Sequence, residues 1–314
     1  MYSGVVAPSQ LLGLLGITHP IIQAGMARHY TSARLVAAVS ESGALGILGC
    51  LARPADEVLA EIRGIRALTA KPFGVNFVLH RLDVDAFEVA LAERVPVFSF
   101  FRGDPSVAIA RAHRAGALTI HQVTTTEEAL QAARAGADVI VAQGTEAGGH
   151  GGLLPLSALL PDVIRLIRDR PVIAAGGIVD RQGLAASIAL GAAGVLMGTR
   201  FLPTAEAPAS PNHKRAIVEA GPDSTVASDR FDLLWEGNSQ WPGVRVRALN
   251  NRLARFVVSG DEARFEASVE SLRAAMARAV DGDDPEQELL MAGMGASRIT
   301  AILPVNDVVQ GIVA

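Results

Sequence analysis

The feature that most constrains this chain is a set of eight short apolar runs, each bounded by Gly, Pro or a charged residue. They are PIIQAG at 20–25, ALGILG at 44–49, FGVNFV at 73–78, VPVFSF at 95–100, ALTIHQ at 117–122, DVIVAQ at 138–143, PVIAAG at 171–176 and AGVLMG at 193–198. Their starts lie 21 to 33 residues apart. Each run is apolar almost throughout rather than alternating, as expected for a parallel strand buried on both faces. Segments with helical periodicity fall between them. Thr126-Glu127-Glu128 opens one that closes at Gly136, and Asp180 caps another that stops at Gly191. Eight strands, each followed by a helix, predict an α/β fold of the (β/α)8 TIM barrel type. The competing architecture, an open doubly wound sheet, uses fewer repeats and a GxGxxG loop after its first strand. Here that position reads GMAR at 25–28.

Half of the 314 residues are hydrophobic, enough for a large core, while only 4% are aromatic and 31 are Gly. Small apolar residues and frequent glycines suit closely packed α/β units with loops built from main chain. The net charge of -4 leaves no electrostatic footprint for nucleic acid or an anionic membrane. The single cysteine, Cys50, excludes an intramolecular disulfide, a CxxC redox pair and a Cys-rich zinc site. Residues 1–27 carry no Lys or Arg, so no signal peptide is expected. The charge-free stretch 182–199 holds four glycines and reads as helix, turn and buried strand, not as a membrane span. The expectation is a cytoplasmic protein with no nucleic-acid or membrane partner; homo-oligomerisation is left open by the sequence.

The repeat stops near Phe201. Residues 1–202 are therefore expected to form the barrel, and 203–314 an appended lid over its mouth. That region holds an amphipathic helix at 261–280, with Phe265, Val269, Leu272 and Met276 on one face, and a final helix near 305–312.

In such a barrel the chemistry sits where the strands end. The loops after strands 7 and 8 read Gly176-Gly177 and Gly198-Thr199, a pattern suited to a phosphate held by backbone N–H groups. No Lys lies nearby in sequence, and Arg200 is the adjacent cation. After strand 6 comes GTEAGGHGG at 144–152. Glu146 and His150 have the spacing of two metal ligands on a helix, but the glycines argue against a helix there. A main chain wrapped around a ligand, with one projecting imidazole, fits better. His121 precedes Gln122 on strand 5, so alternation turns it away from the mouth.

GTEAGGHGG, PVIAAGGI at 171–178 and GVLMGTRF at 194–201 resemble the nitronate monooxygenase family, and PIIQAGM at 20–26 and FGVNF at 73–77 agree with it. The resemblance covers roughly residues 10–258. It implies a flavin-binding TIM barrel with a smaller appended domain and FMN as cofactor. The phosphate would lie on Gly176, Gly177, Gly198 and Thr199, with the ring system against Ala24, Gly25, Met26 and Ala27. Asn76 and Gln122 occupy flavin-contacting positions. Gly148 and Gly149 would approach the ring through their main chain, and His150 matches the family's active-site histidine. Two departures stand out. Met294 replaces a glutamine common in the tail motif, and Gln122 replaces a lysine found in some relatives.

The implied reaction is oxidation of a nitronate or nitroalkane by oxygen to a carbonyl compound and nitrite. A neutral His150 would take the α-proton of a nitroalkane, and a protonated one would hold a nitronate oxygen. The nearest rival is an NAD(P)H-dependent FMN reductase acting on a quinone or enoyl thioester. A flavin-free phosphosugar barrel leaves the AGGH loop unexplained. Flavin binding without catalysis is the remaining alternative.

Overall fold

Each of the eight apolar runs forms a strand of one parallel sheet. In the computed structural model, which describes residues 6–27, 30–236 and 244–314, the strands in chain order are as follows. The first six are β1 (Ile21–Gln23), β2 (Gly46–Gly49), β3 (Phe73–Val78), β4 (Val97–Phe101), β5 (Leu118–Val123) and β6 (Val139–Gln143). Then come β7 (Gly149–Gly151), β8 (Val172–Ala175), β9 (Val195–Met197), β10 (Thr225–Ser228) and β11 (Arg245–Leu249). Residue 28 and residues 237–243 of the expected lid lie outside the described residues.

The parallel sheet runs β1-β9-β8-β6-β5-β4-β3-β2, and its ends meet where Ile22 bridges Leu45. Flanking helices cover its outside, so the architecture is the expected (β/α)8 barrel. Alternation along each strand sorts side chains between two layers. Val97, Ile120, Val141, Ile173 and Leu196 pack together inside the barrel, where Leu11 and Leu15 of the helix Pro8–Leu15 join them. Phe98 and Phe100 belong instead to the outer layer under the helices, with Phe87 edge-on to Phe98 at 5.6 Å. Each such fully buried side chain contributes about 1.5–3 kcal/mol.

The anticipated helix signals act as read. Thr125 caps the helix Thr126–Ala135, which ends at Gly136 in the left-handed region. The Asp180 carboxylate accepts the Gly183 amide, starting the helix Arg181–Ala189. No helix among the described residues is long and apolar enough to cross a membrane.

Beyond β9 the chain builds a second small sheet, β10-β11-β7, antiparallel throughout. The helix Glu262–Gly282 packs Phe265 and Met276 against Phe231, Val246 and Leu253 to give this sheet its own core. The last helix, Val305–Val313, returns to the barrel wall. It lies against the helices Ala33–Glu41 and Arg181–Ala189, and Val305, Val308, Val309 and Ile312 join the outer barrel layer. One local reading needs correction. Residues 149–151, expected as a loop of main chain wrapped around a ligand, form β7, with Gly149, His150 and Gly151 opposite Arg247, Val246 and Arg245. The glycines that disfavour a helix leave an unobstructed backbone to which β11 pairs.

Candidate active site

All eight barrel strands point their C-terminal ends toward one cavity of about 1100 Å³. The thirteen residues singled out in the sequence all line it: Ala24, Gly25, Met26 and Ala27 after β1; Asn76 on β3; Gln122 on β5; Gly148, Gly149 and His150 around β7; Gly176 and Gly177 after β8; Gly198 and Thr199 after β9. This shared wall follows from the barrel, which brings the ends of strands distant in sequence to one rim.

Polar side chains in the wall are held by neighbours on adjacent strands. Asn76 donates to Ser99 Oγ at 3.1 Å. Gln122 donates to Gln143 Oε1 at 2.6 Å, and Gln143 in turn donates to the His150 carbonyl at 2.9 Å. Ser99 and Gln143 were missed in the sequence. The available signal was a polar residue at the inward position of an otherwise apolar strand.

At the β8 end, Gly176 and Gly177 have φ of +113° and +69°. This left-handed conformation turns the backbone in a way that a side chain would strain. Among the described residues, no acceptor pairs with the amides of Gly176, Gly177 or Gly198. Thr199 Oγ1 accepts the Gly293 amide at 2.9 Å, which leaves its own proton to donate. Arg200 does not reach the cavity. Its side chain is buried and donates to the Ala301 carbonyl at 3.3 Å, and burial lowers its pKa.

The tail of the chain threads between the loops that follow β6 and β8. A Cβ on Gly148 would sit 2.6 Å from the Ala292 carbonyl carbon, and one on Gly293 would sit 2.7 Å from the Glu146 oxygen. The Met294 amide donates to that same Glu146 oxygen at 2.9 Å. Met294 itself is 49% exposed, and its side chain is not part of the cavity wall. The Glu146 carboxylate accepts the Leu156 amide at 3.0 Å, starting the helix Leu156–Leu166. Glu146 and His150 therefore serve different partners, and no carboxylate, His or Cys cluster among the described residues could hold a metal.

His150 Nε2 lies 2.8 Å from Asp232 Oδ1. Asp232 belongs to the short helix Phe231–Glu236 and is fully buried. His121, set aside because of strand alternation, is also buried, and desolvation pushes its pKa down to about 4. It is a neutral core histidine, outside the cavity wall.

Fold and site together define a (β/α)8-barrel enzyme with a deep pocket at the C-terminal ends of its strands. The profile of the nitronate monooxygenase family matches residues 8–88 and 81–314, and the chain belongs to this family of oxidoreductases. It is 40% identical over 257 residues to (3aS,4S,5R,7aS)-5-hydroxy-7a-methyl-1-oxo-octahydro-1H-indene-4-carboxyl-CoA dehydrogenase of Mycobacterium tuberculosis, covering 81% of this chain and 69% of that protein. The solved structure of FabK from Thermotoga maritima superposes with a TM-score of 0.87 at 37% identity, over 97% of this chain and 94% of that one. A nitroalkane oxidase from Streptomyces ansochromogenes gives 0.82 at 31% identity, over 97% and 96%.

Proposed function

We propose that this protein is an FMN-dependent oxidoreductase that oxidises nitronates and nitroalkanes with molecular oxygen to carbonyl compounds and nitrite. The observation that carries the reading is the convergence of two elements on one cavity: a backbone-built anion cradle and an imidazole paired with a buried carboxylate. The cradle fits the cofactor. Unpaired amides at Gly176, Gly177 and Gly198, with the Thr199 hydroxyl, offer a phosphate its donors without a lysine. Asn76 and Gln122 supply amide groups further along the same wall, where a flavin's polar edge would need them. Bound FMN would supply the redox chemistry. The chain's own residues bind and orient the substrate, and His150 moves a proton: neutral, it accepts the α-proton of a nitroalkane; protonated, it donates a hydrogen bond to a nitronate oxygen.

A second reading has its own support. The cavity continues past the cradle to Leu51, Val78 and Phe101, with His80 and Arg81 at its rim. Its volume of about 1100 Å³ lies just above the ~300–1,000 Å³ usual for ligand pockets. An NAD(P)H-dependent FMN reductase acting on a quinone or enoyl thioester would use that space, and the 40%-identical relative is named for a CoA thioester.

One experiment separates the two. The protein should purify yellow with about one non-covalent FMN per chain. Under anaerobic conditions a nitronate should bleach the flavin faster than NADH or NADPH. Bleaching by NADH with no response to nitronate would favour the reductase. A colourless protein that takes up no added FMN in a fluorescence titration would overturn both.

A further inference from the structure

We infer that Asp232 is a positioning residue whose carboxylate keeps a proton on Nε2 of His150, so that the neutral ring carries its lone pair on Nδ1. The inference rests on the proposed role of His150 in moving a proton, but the arrangement itself can be read independently.

Asp232 has no solvent exposure, and its Oδ1 is 2.8 Å from His150 Nε2. Its other oxygen, Oδ2, has no hydrogen-bond partner among the described residues. An ionised carboxylate can only accept hydrogen bonds, so the nitrogen facing it must be a donor. A buried carboxylate is costly to leave unpaired, and this contact is the one that compensates it directly. Arg102, after β4, adds a cation near Asp232: burial lowers the Arg102 pKa, while Glu128 and, less strongly, Asp232 favour its charged form. His150 Nε2 therefore meets a buried carboxylate that also interacts electrostatically with the Arg102 cation.

Both partners are rigidly mounted. Phe231 and Leu234, on the same helix as Asp232, are anchored in the core of the small sheet with Val246. Val246 is also the residue of β11 that faces His150 across the β7 ladder. From the barrel side, Gln143 holds the His150 carbonyl. The ring thus has a main chain fixed from two directions and a tautomer set by Asp232. Two ring nitrogens are chemically distinct, and the bond made by one decides which form the other takes. An asparagine at 232 could either donate or accept, and would remove that choice.

The test is nitrogen-15 NMR of the histidine rings in the full-length protein without added substrate, at a pH where His150 is neutral. The His150 signals are assigned by their loss in His150→Asn. Wild type should show a protonated Nε2 and an unprotonated Nδ1, and Asp232→Asn should show a mixture of tautomers. A protonated Nδ1 in the wild type, or an identical tautomer ratio in Asp232→Asn, would overturn the inference. Should Asp232→Asn fail to fold, the wild-type spectrum still decides. In the FMN-loaded enzyme, Asp232→Asn should lower kcat for a neutral nitroalkane by roughly 10²–10⁴-fold with KM nearly unchanged, and Asp232→Glu should recover part of the loss. A change confined to KM would also overturn it. A wild-type protein with the expected tautomer but no turnover of nitroalkane would sink the proposed reaction and leave the role of Asp232 standing.

Discussion

The two sides of the cavity are built differently. On the barrel side, the proposed cradle is main chain at the ends of β8 and β9, in short stretches marked by their glycines. On the other side, the His150–Asp232 pair joins residues 82 positions apart, one on β7 and one on a separate helix. The cradle is set by strand ends and local backbone conformation. The pair exists only because β11 adds itself to β7 and carries the core of the small sheet with it. Cofactor binding and turnover should therefore be separable by mutation, the first failing on the barrel side and the second on the other.

The largest effect should come from removing the imidazole. His150→Asn is expected to slow turnover of neutral nitroalkanes by roughly 10²–10⁴-fold, the usual range for a placed general base. The loss with preformed nitronate should be smaller, since no proton leaves carbon. Bound FMN and melting temperature should stay near wild type. Equal losses with both substrates would instead identify a protonated His150 that anchors the anion, and unchanged kinetics with both would remove it from the chemistry.

A strike at the cradle should do the reverse. Gly177 has φ +69°, and an added Cβ would lie 3.2 Å from Glu146 Cβ. Gly177→Val forces a β-branched residue into the left-handed region at a cost of about 1–3 kcal/mol. FMN affinity should fall by about tenfold or more, measured by flavin fluorescence. Undiminished affinity would detach the phosphate from this loop.

Acid should weaken both sides together. His121 in the barrel and His213 beyond it are held neutral by burial, each pushed from 6.5 down to about 4. In the unfolded chain both regain ordinary values and bind protons first as the pH falls. Stability should therefore decline from about pH 6.5 down to about pH 4 and then level off as far as these groups are concerned. Between pH 7 and 5.5 the loss should be about 1 kcal/mol per histidine, read from urea melts. His213→Gln should remove its own share alone, and a slope unaltered by that change would contradict it.

The smallest effect is expected at Met294. Because its side chain lies outside the cavity wall, Met294→Gln should leave kcat/KM and stability within about ±0.5 kcal/mol of wild type. A large gain in turnover would show that the tail reaches the substrate after all.

The barrel was legible because its signal is local and repeated: β3, PVIAAGG and AGVLMG each carry a buried strand and its exit loop in one short stretch. His121 was separable from Gln122 for the same reason, since a period of two decides which side chain enters the cavity. Gln143 was harder to see, because nothing in VIVAQ says that its amide spans from Gln122 to the His150 backbone. Asp232 had no local signal at all. It sits in a segment without periodic pattern, and its neighbours in sequence do not include its partner.

The sequence by itself determined the eight-strand repeat, the glycine loops and the identity of the projecting imidazole, because strand burial, turn conformation and helix capping depend on residues a few positions apart. Tertiary structure alone decided that Gly149–Gly151 is a strand, that the tail threads between the loops that follow β6 and β8, that the last helix returns to the barrel wall and that a distant aspartate meets His150. Those outcomes depend on which distant segment has the complementary backbone edge or apolar face. A carboxylate with no solvent exposure and a 2.8 Å partner is a property of that packing, not of the residues that surround Asp232 in the chain.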